Sequence, residues 1–315
     1  MTSTKKFNFK KVLIIILAVL MLHCALSMVV TKVVYDSIFD RYDPQPPALT
    51  GELEELVSQR QEVFYEMEEL QLAGYLYRSS ADTPRSTLIL LSPGFHAGGD
   101  DYLWQIHSLL ARGWSVFSFD PSGSCSSEGD SYQGFPQQIL DLDATLSYIE
   151  ANGRFGYDHI ALLGHSRGGY AAGCILGYGH QIDAVVTISG VNSAMDGIMG
   201  YSTEYVGPLA YGNYGFLWAY QSMLFGSELV DLQAHEEISK SDVPVLVVHG
   251  SADEAFPTDE YSIYAHRSQI NRSGVEYLLL DQEGQNGHTD LMFQDTGANE
   301  RLMDEISRFL ENNIP

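Results

Sequence analysis

"HIALLGHSRGGYAAGCILGY", residues 159–178, runs from an apolar stretch into a helix-forming one through Gly-His-Ser-Arg-Gly, which places Ser166 two positions from a glycine on either side. The pattern alone decides little. At average usage of about 7% for glycine and serine, it arises by accident in roughly one chain of this length in ten. Context gives it weight: "HIALLG" reads as a buried strand and "SRGGYAAGCILGY" as the opening of a helix. A strand turning sharply into a helix leaves no room for a Cβ where the two cross, which accounts for Gly164 and Gly168. The helix N-terminus under the serine supplies free N–H groups and a positive dipole end, both suited to a developing oxyanion. Ser166 is therefore the candidate nucleophile.

Outward from this point the chain alternates. "EVFYEMEEL" and "LAGYLYR" read as a hairpin, followed by strands in "TLILLSPG", "WSVFSFD", "HIALLG", "AVVTISG", "VPVLVVHG" and "EYLLLD". Helices are expected at about 102–111, 136–151, 167–178, 259–271 and 299–312. Continuous apolar strands separated by helices predict an α/β fold with a mostly parallel sheet covered on both faces. In such sheets the chemistry gathers at the carboxyl ends of the strands, where the polar motifs fall here.

A serine hydroxyl needs a histidine base and a carboxylate to orient that base. Among ten histidines, His288 in "GQNGHTDLM" lies in a glycine-rich loop after the last strand and is favoured. His165 neighbours the serine and should point away from it, as a packed residue. His249 ends "VPVLVVHG" as a structural histidine. In "VPVLVVHGSADEAFP" Asp253 is favoured as the orienting acid, with Glu254 its close competitor, while Asp290 reads as a loop cap beside the base. The chain order is then Ser166, Asp253, His288, as nucleophile, acid and base.

The 315 residues carry a formal net charge of −24, and the first 35 hold five lysines and no acid. The remainder has 12 basic and 41 acidic side chains, a net of −29 that repels nucleic acid and anionic surfaces. No Cys-x-x-Cys or His-Glu-x-x-His spacing suggests a metal, and no cofactor motif is present. Cys125 and Cys174 could pair in an oxidising compartment, but two inert, partly buried thiols are the favoured reading. No feature of the sequence speaks to oligomeric state.

"VLIIILAVLMLHCALSMVV", residues 12–30, is long enough to cross a bilayer, and the lysines before it should stay cytoplasmic. Residues 1–11 are then a basic tail, 12–30 an uncleaved anchor, 31–61 a juxtamembrane linker and 62–315 the catalytic body outside the cytoplasm. A signal peptide cleaved near "ALS" is the alternative, giving a secreted protein. "DPQPPALTG", residues 43–51, reads as a stiff spacer, and "ELEELVSQRQE" as a short surface helix.

With these residues in place, the chain resembles the serine α/β-hydrolase superfamily over about residues 62–312, in the branch of monoacylglycerol-lipase-like and serine-aminopeptidase-like esterases. "LSPGFHAGGDDY" is similar to that family's oxyanion loop, with Gly94 matched, Pro93 in place of a histidine and His96 in place of a frequent glycine. The match implies that the backbone N–H groups of Phe95 and Arg167 form the oxyanion hole. The Arg167 side chain is then a solvated or packing residue, and His96 a loop-stabilising or substrate-touching one. "FDPSGSCSSEGD" resembles Asp-x-Arg-Gly-x-Gly-x-Ser-x-Gly through Asp120, Gly123, Ser127 and Gly129, with Ser122 in place of the arginine and Cys125 in place of a glycine. The family commonly inserts a lid here, at about 191–242. Its rings Tyr201, Tyr205, Tyr211, Tyr214, Phe216, Trp218, Tyr220 and Phe225 are expected to wall a pocket or, more often, to fasten the lid. The resemblance implies a carboxylic-ester hydrolase acting on a small-molecule acylglycerol-like or small acyl or aromatic ester. A peptidase or amidase of the same fold is the alternative, and a catalytically inactive binding module is the alternative of another class.

Overall fold

The computed structural model describes residues 9–44, 49, 51–294 and 297–315. The chain begins with α1 (Phe9–Ile38) and α2 (Glu52–Gln59), then forms the hairpin β1 (Gln61–Met67) and β2 (Leu70–Tyr77). There follow β3 (Thr87–Ser92), α3 (Leu103–Ala111), β4 (Ser115–Phe119), α4 (Phe135–Ala151), β5 (His159–His165) and α5 (Arg167–Cys174). After β6 (Ala184–Ile188) the insertion folds into α6 (Ala194–Val206), α7 (Tyr214–Phe225), α8 (Ser227–Val230) and α9 (Ala234–Lys240). The chain closes with β7 (Val245–Gly250), β8 (Val275–Leu280), a small hairpin of β9 (Phe293–Gln294) and β10 (Gly297–Ala298), and α10 (Glu300–Asn313).

The main sheet has eight strands in the order β1-β2-β4-β3-β5-β6-β7-β8. β1 and β2 are antiparallel, and the remaining six strands are parallel. β3, β4, β5, β6 and β7 are buried along nearly their whole length, as two-sided coverage requires. On one face α3 and α10 bury Leu103, Ile106, Leu302, Met303 and Phe309 against the sheet. On the other, α4 and α5 contribute Ile139, Leu142, Tyr170 and Ala172 to a second core. The fold is that of the α/β-hydrolases, with the lid between β6 and β7.

Two expectations are corrected. The helix expected at 259–271 is absent, and only Arg267–Gln269 forms a 3-10 turn there. The backbone is committed elsewhere: Asn192 donates to the Tyr261 carbonyl and Ile263 to that of Gly190, a short bridge to the segment after β6 that a helix would break. The second correction concerns the linker. Helix α1 continues past the apolar run, and its last two turns pack on the body rather than spanning a gap. Tyr35 and Phe39 are buried in the main core, and Asn213 Nδ2 donates to Thr31 Oγ1 at 3.0 Å. Tyr220 donates to Asp36 at 2.7 Å. Arg41 then reaches over the loop after β4, donating to the carbonyls of Cys125, Ser127 and Gly129 at 2.7 to 3.0 Å. Residues 45–48 and 50 of the expected spacer lie outside the described residues. The apolar run itself remains exposed, with Ile14 at 64% and Leu22 at 70%.

Candidate active site

Ser166 joins β5 to α5 with φ 54° and ψ −117°, backbone angles that L-residues other than glycine rarely adopt. The turn survives because its neighbours are glycines. A Cβ on Gly164 would come within 2.2 Å of the Gly168 carbonyl oxygen, and one on Gly168 within 2.0 Å of that of Ser92. The serine sits at the carboxyl edge of the sheet, and the loops after β7 and β8 fold in over it.

Those loops bring the expected partners together. Ser166 Oγ lies 3.0 Å from His288 Nε2, and His288 Nδ1 lies 3.0 Å from both Asp253 oxygens. Asp253 also accepts from the amides of Phe256 at 2.8 Å and Ala255 at 3.1 Å, so its position is set by its own loop. Burial pushes its carboxyl up, but the hydrogen bond and charge of His288, the nearby His249 and the Phe256 amide outweigh this and hold it below the usual carboxylate range. Glu254, the competing acid, instead accepts from the His288 backbone N–H at 3.0 Å, and Asp290 accepts from that of Gly287. Both carboxylates shape the histidine loop.

His165 is buried, as expected, and it also connects the site. Its Nε2 donates to the His288 carbonyl at 3.2 Å, and its Nδ1 accepts from Tyr102, whose hydroxyl in turn accepts from the Gly94 amide at 2.9 Å. This relay ties the histidine loop to the loop after β3 and requires a neutral ring. Burial, and then the neighbouring His288, press the His165 pKa down to about 3. His249 donates from Nε2 to the Phe256 carbonyl at 2.8 Å and stands 3.6 Å from Asp253. The adjacency of His165 to the serine was the one sequence signal for the first of these roles. Nothing in the sequence pointed to Tyr102.

The loop after β3 is held from beneath. Tyr132 donates to the carbonyls of Ala97 at 2.7 Å and Gly94 at 3.2 Å. The Phe95 ring lies 5.3 Å from Phe39 and 5.9 Å from Tyr201, centroid to centroid. His96 stacks on Phe95 and Tyr42, so it clasps this loop to the segment that follows α1. Arg167 opens α5, where its backbone N–H has no partner within the helix.

The Arg167 side chain is not solvated. It is fully buried, lies over the Tyr132 ring at 4.3 Å and donates from Nη2 to the Tyr132 carbonyl at 3.0 Å. Burial lowers its pKa, against the opposing pull of Tyr132 and Asp141. Ser122, standing where the family pattern has an arginine, donates its hydroxyl to that same Asp141 at 2.8 Å. Cys174 is buried and Cys125 partly so, both unpaired; burial and Asp120 push the Cys125 thiol up to about 12. Of the lid rings, Tyr201 faces the cleft, whereas Tyr220 holds α1, Tyr211 bonds Tyr261 and Trp218 bonds Asp231. The Tyr205 side chain lies outside the described ones. A cleft of about 380 Å³ opens over Ser166 and His288, walled by Phe95, Tyr102, Tyr201 and Phe293.

A serine on a strand-to-helix turn, a histidine bridging it to a buried carboxylate and a lid over a mostly parallel sheet together define a serine α/β-hydrolase. A family model for the prolyl oligopeptidase family matches residues 101–314, and the chain belongs to that family. Over 255 residues it is 25% identical to the esterase LipC of Mycobacterium tuberculosis, covering 71% of this chain. The match spans 59% of that relative's length. In fold it is similar to the Pyrococcus furiosus esterase Pf2001, with a TM-score of 0.65 at 18% identity over 88% of this chain and 100% of the other. It is also similar to an acylaminoacyl peptidase of Pyrococcus horikoshii, with a TM-score of 0.57 at 14% identity over 84% of this chain and 44% of that one. The protein is an enzyme of the serine hydrolase class.

Proposed function

We propose that the protein is a membrane-anchored carboxylic-ester hydrolase whose catalytic residues are Ser166, His288 and Asp253. The observation that carries the reading is the His288 ring, placed 3.0 Å from the Ser166 hydroxyl on one side and from Asp253 on the other. His288 Nε2 takes the hydroxyl proton as Ser166 Oγ attacks the ester carbonyl, and Asp253 holds the ring in that tautomer and offsets its new charge. The oxyanion rests on the N–H groups of Phe95 and Arg167, the first positioned by the clasped loop and the second by the start of α5. Collapse of the tetrahedral intermediate expels the alcohol, which receives the proton from His288. Water activated by the same histidine then frees the acyl group.

The ester preference is supported by the named esterases among the relatives and by the aromatic cleft walls. A peptide bond is the second reading, favoured by the family itself and by the fold shared with an acylaminoacyl peptidase. In this proposal residues 12–30 cross the bilayer, basic residues 1–11 remain cytoplasmic, and residues 62–315 form the catalytic domain outside. A helix of 30 residues with mean hydropathy 2.8 over its most apolar window supports the anchor. A fluorophosphonate should label the full-length chain and fail to label Ser166→Ala, and a folded wild type that resists it would overturn the assignment. Nitrophenyl esters compared with aminoacyl nitroanilides separate the two substrate readings, and turnover confined to anilides would replace the ester by the peptide bond.

A further inference from the structure

A second cavity, of about 800 Å³, lies between the end of α1 and the lid. From α1 it is lined by Val34, Tyr35 and Ile38, and from the lid by Ile198, Ala210 and Leu217. Phe95, His96 and Tyr201 line both this cavity and the cleft over Ser166, so the two spaces share a wall of side chains. Of its polar wall groups, Asn213 donates to Thr31, Ser37 to the Val34 carbonyl and Tyr35 to that of Gln133, which leaves the Ser202 hydroxyl. A polar ligand would find few groups left to pair with, whereas a hydrocarbon chain needs none. The size suits such an occupant, since small-molecule pockets run from about 300 to 1,000 Å³.

The position of the cavity says where that chain comes from. Its first wall residue on α1 is Val30, the last of the nineteen-residue apolar run. Nineteen helical residues rise about 28 Å, close to the thickness of the hydrocarbon layer, so the cavity begins at the level of the lipid headgroups. Three of the α1 residues that line it are also exposed on the outside, Val30 at 52%, Val34 at 49% and Ile38 at 45%. Val33 on α1 is 62% exposed and Met223 on the adjoining α7 is 75% exposed, with Trp218 and Tyr214 also at the surface. Aromatic rings of this kind sit at the headgroup level of membrane proteins. The strongly acidic body disfavours an anionic headgroup.

We propose that this cavity receives the long acyl chain of an uncharged lipid ester directly from the bilayer, with α1 itself as one wall of the substrate site, and passes its carbonyl to Ser166 beside Phe95 and Tyr201. The inference rests on the ester-hydrolase reading above and adds to it a substrate class, a route and a function for the anchor.

The test uses the full-length chain in lipid nanodiscs. A fluorophosphonate carrying a long alkyl chain with a terminal diazirine is attached to Ser166 and irradiated, and the crosslinked peptides are mapped. Crosslinks within residues 30–38 and 198–217 are expected, and crosslinks confined outside both segments would overturn the pocket. In parallel, Val34→Trp should lower the kcat/KM ratio of nitrophenyl laurate to nitrophenyl acetate by about tenfold, because the new ring fills the acyl space. Val33→Trp, on the outer face, should leave that ratio at the wild-type value. An unchanged ratio in Val34→Trp that still reacts with a short fluorophosphonate would also count against the pocket. Failure of every fluorophosphonate to label wild type is a different result: it removes the nucleophile assignment and the pocket with it.

Discussion

Three histidines in this site differ in what surrounds them, and only His288 touches both a hydroxyl and a carboxylate. Replacing Asp253 by Asn should lower kcat by about 10⁴, because the amide no longer holds His288 with Nε2 free to accept the serine proton. Glu254→Gln should cost about tenfold, since a carbonyl oxygen can still accept from the His288 amide; steady-state kinetics on one nitrophenyl ester separate the two. His165 yields a pH prediction. Its folded pKa is pressed down to about 3, below the unfolded value of about 6.5, so the unfolded chain binds more protons between them. The stability it confers is present above about pH 6.5 and is lost as the solution is acidified toward the folded pKa, at about 1.4 kcal/mol for each pH unit. His165→Gln should therefore melt lower than wild type at about pH 7.5, and its Tm should fall less steeply on acidification. An unchanged slope would show that His165 does not carry this linkage.

Among the elements, α1 departs most from expectation and carries the most consequence. An apolar run followed by a proline-rich stretch reads as anchor and spacer, because hydropathy records composition and says nothing about contacts made far along the chain. Phe39 lies beside Phe95 and Phe135, and Tyr35 packs so closely on Gly134 that a Cβ there would meet its hydroxyl at 2.0 Å. Phe39→Ala should cost about 3 kcal/mol in thermal or chemical unfolding, the typical loss for a buried aromatic ring. It should also slow fluorophosphonate labelling, since the Phe95 loop loses its support. The segment at 259–271 shows the same effect in reverse. Its composition suits a helix, but its amides bond the rim beyond β6, and that tertiary pairing prevails over local propensity.

For the molecule as a whole, a net charge of −29 on the residues after the first 35 predicts long-range repulsion of anions. An anionic fluorophosphonate should label Ser166 more slowly than a neutral one of equal length at low salt, and the gap should close at about 1 M salt, where the screening length is about 3 Å. The proposed anchor predicts that the full chain stays in the membrane pellet after alkaline washing. Protease added outside intact cells should digest the body, and protection of the body from that protease would reverse the orientation.

Much of this could be read in advance because its causes are local. Strand and helix periodicity, the steric need for Gly164 and Gly168 around Ser166, and the placing of Asp253 and His288 in loops after successive strands are properties of short stretches of chain. What folding alone decided is how distant stretches meet: that Glu254 braces the histidine loop, that His165 and Tyr102 tie it to Gly94, and that the Arg167 guanidinium is buried against Tyr132. The docking of α1 belongs with these, since no residue within it names Phe95 or Asn213 as a partner. Such contacts join residues far apart in sequence, and their geometry exists only once the sheet has set the distances between its loops.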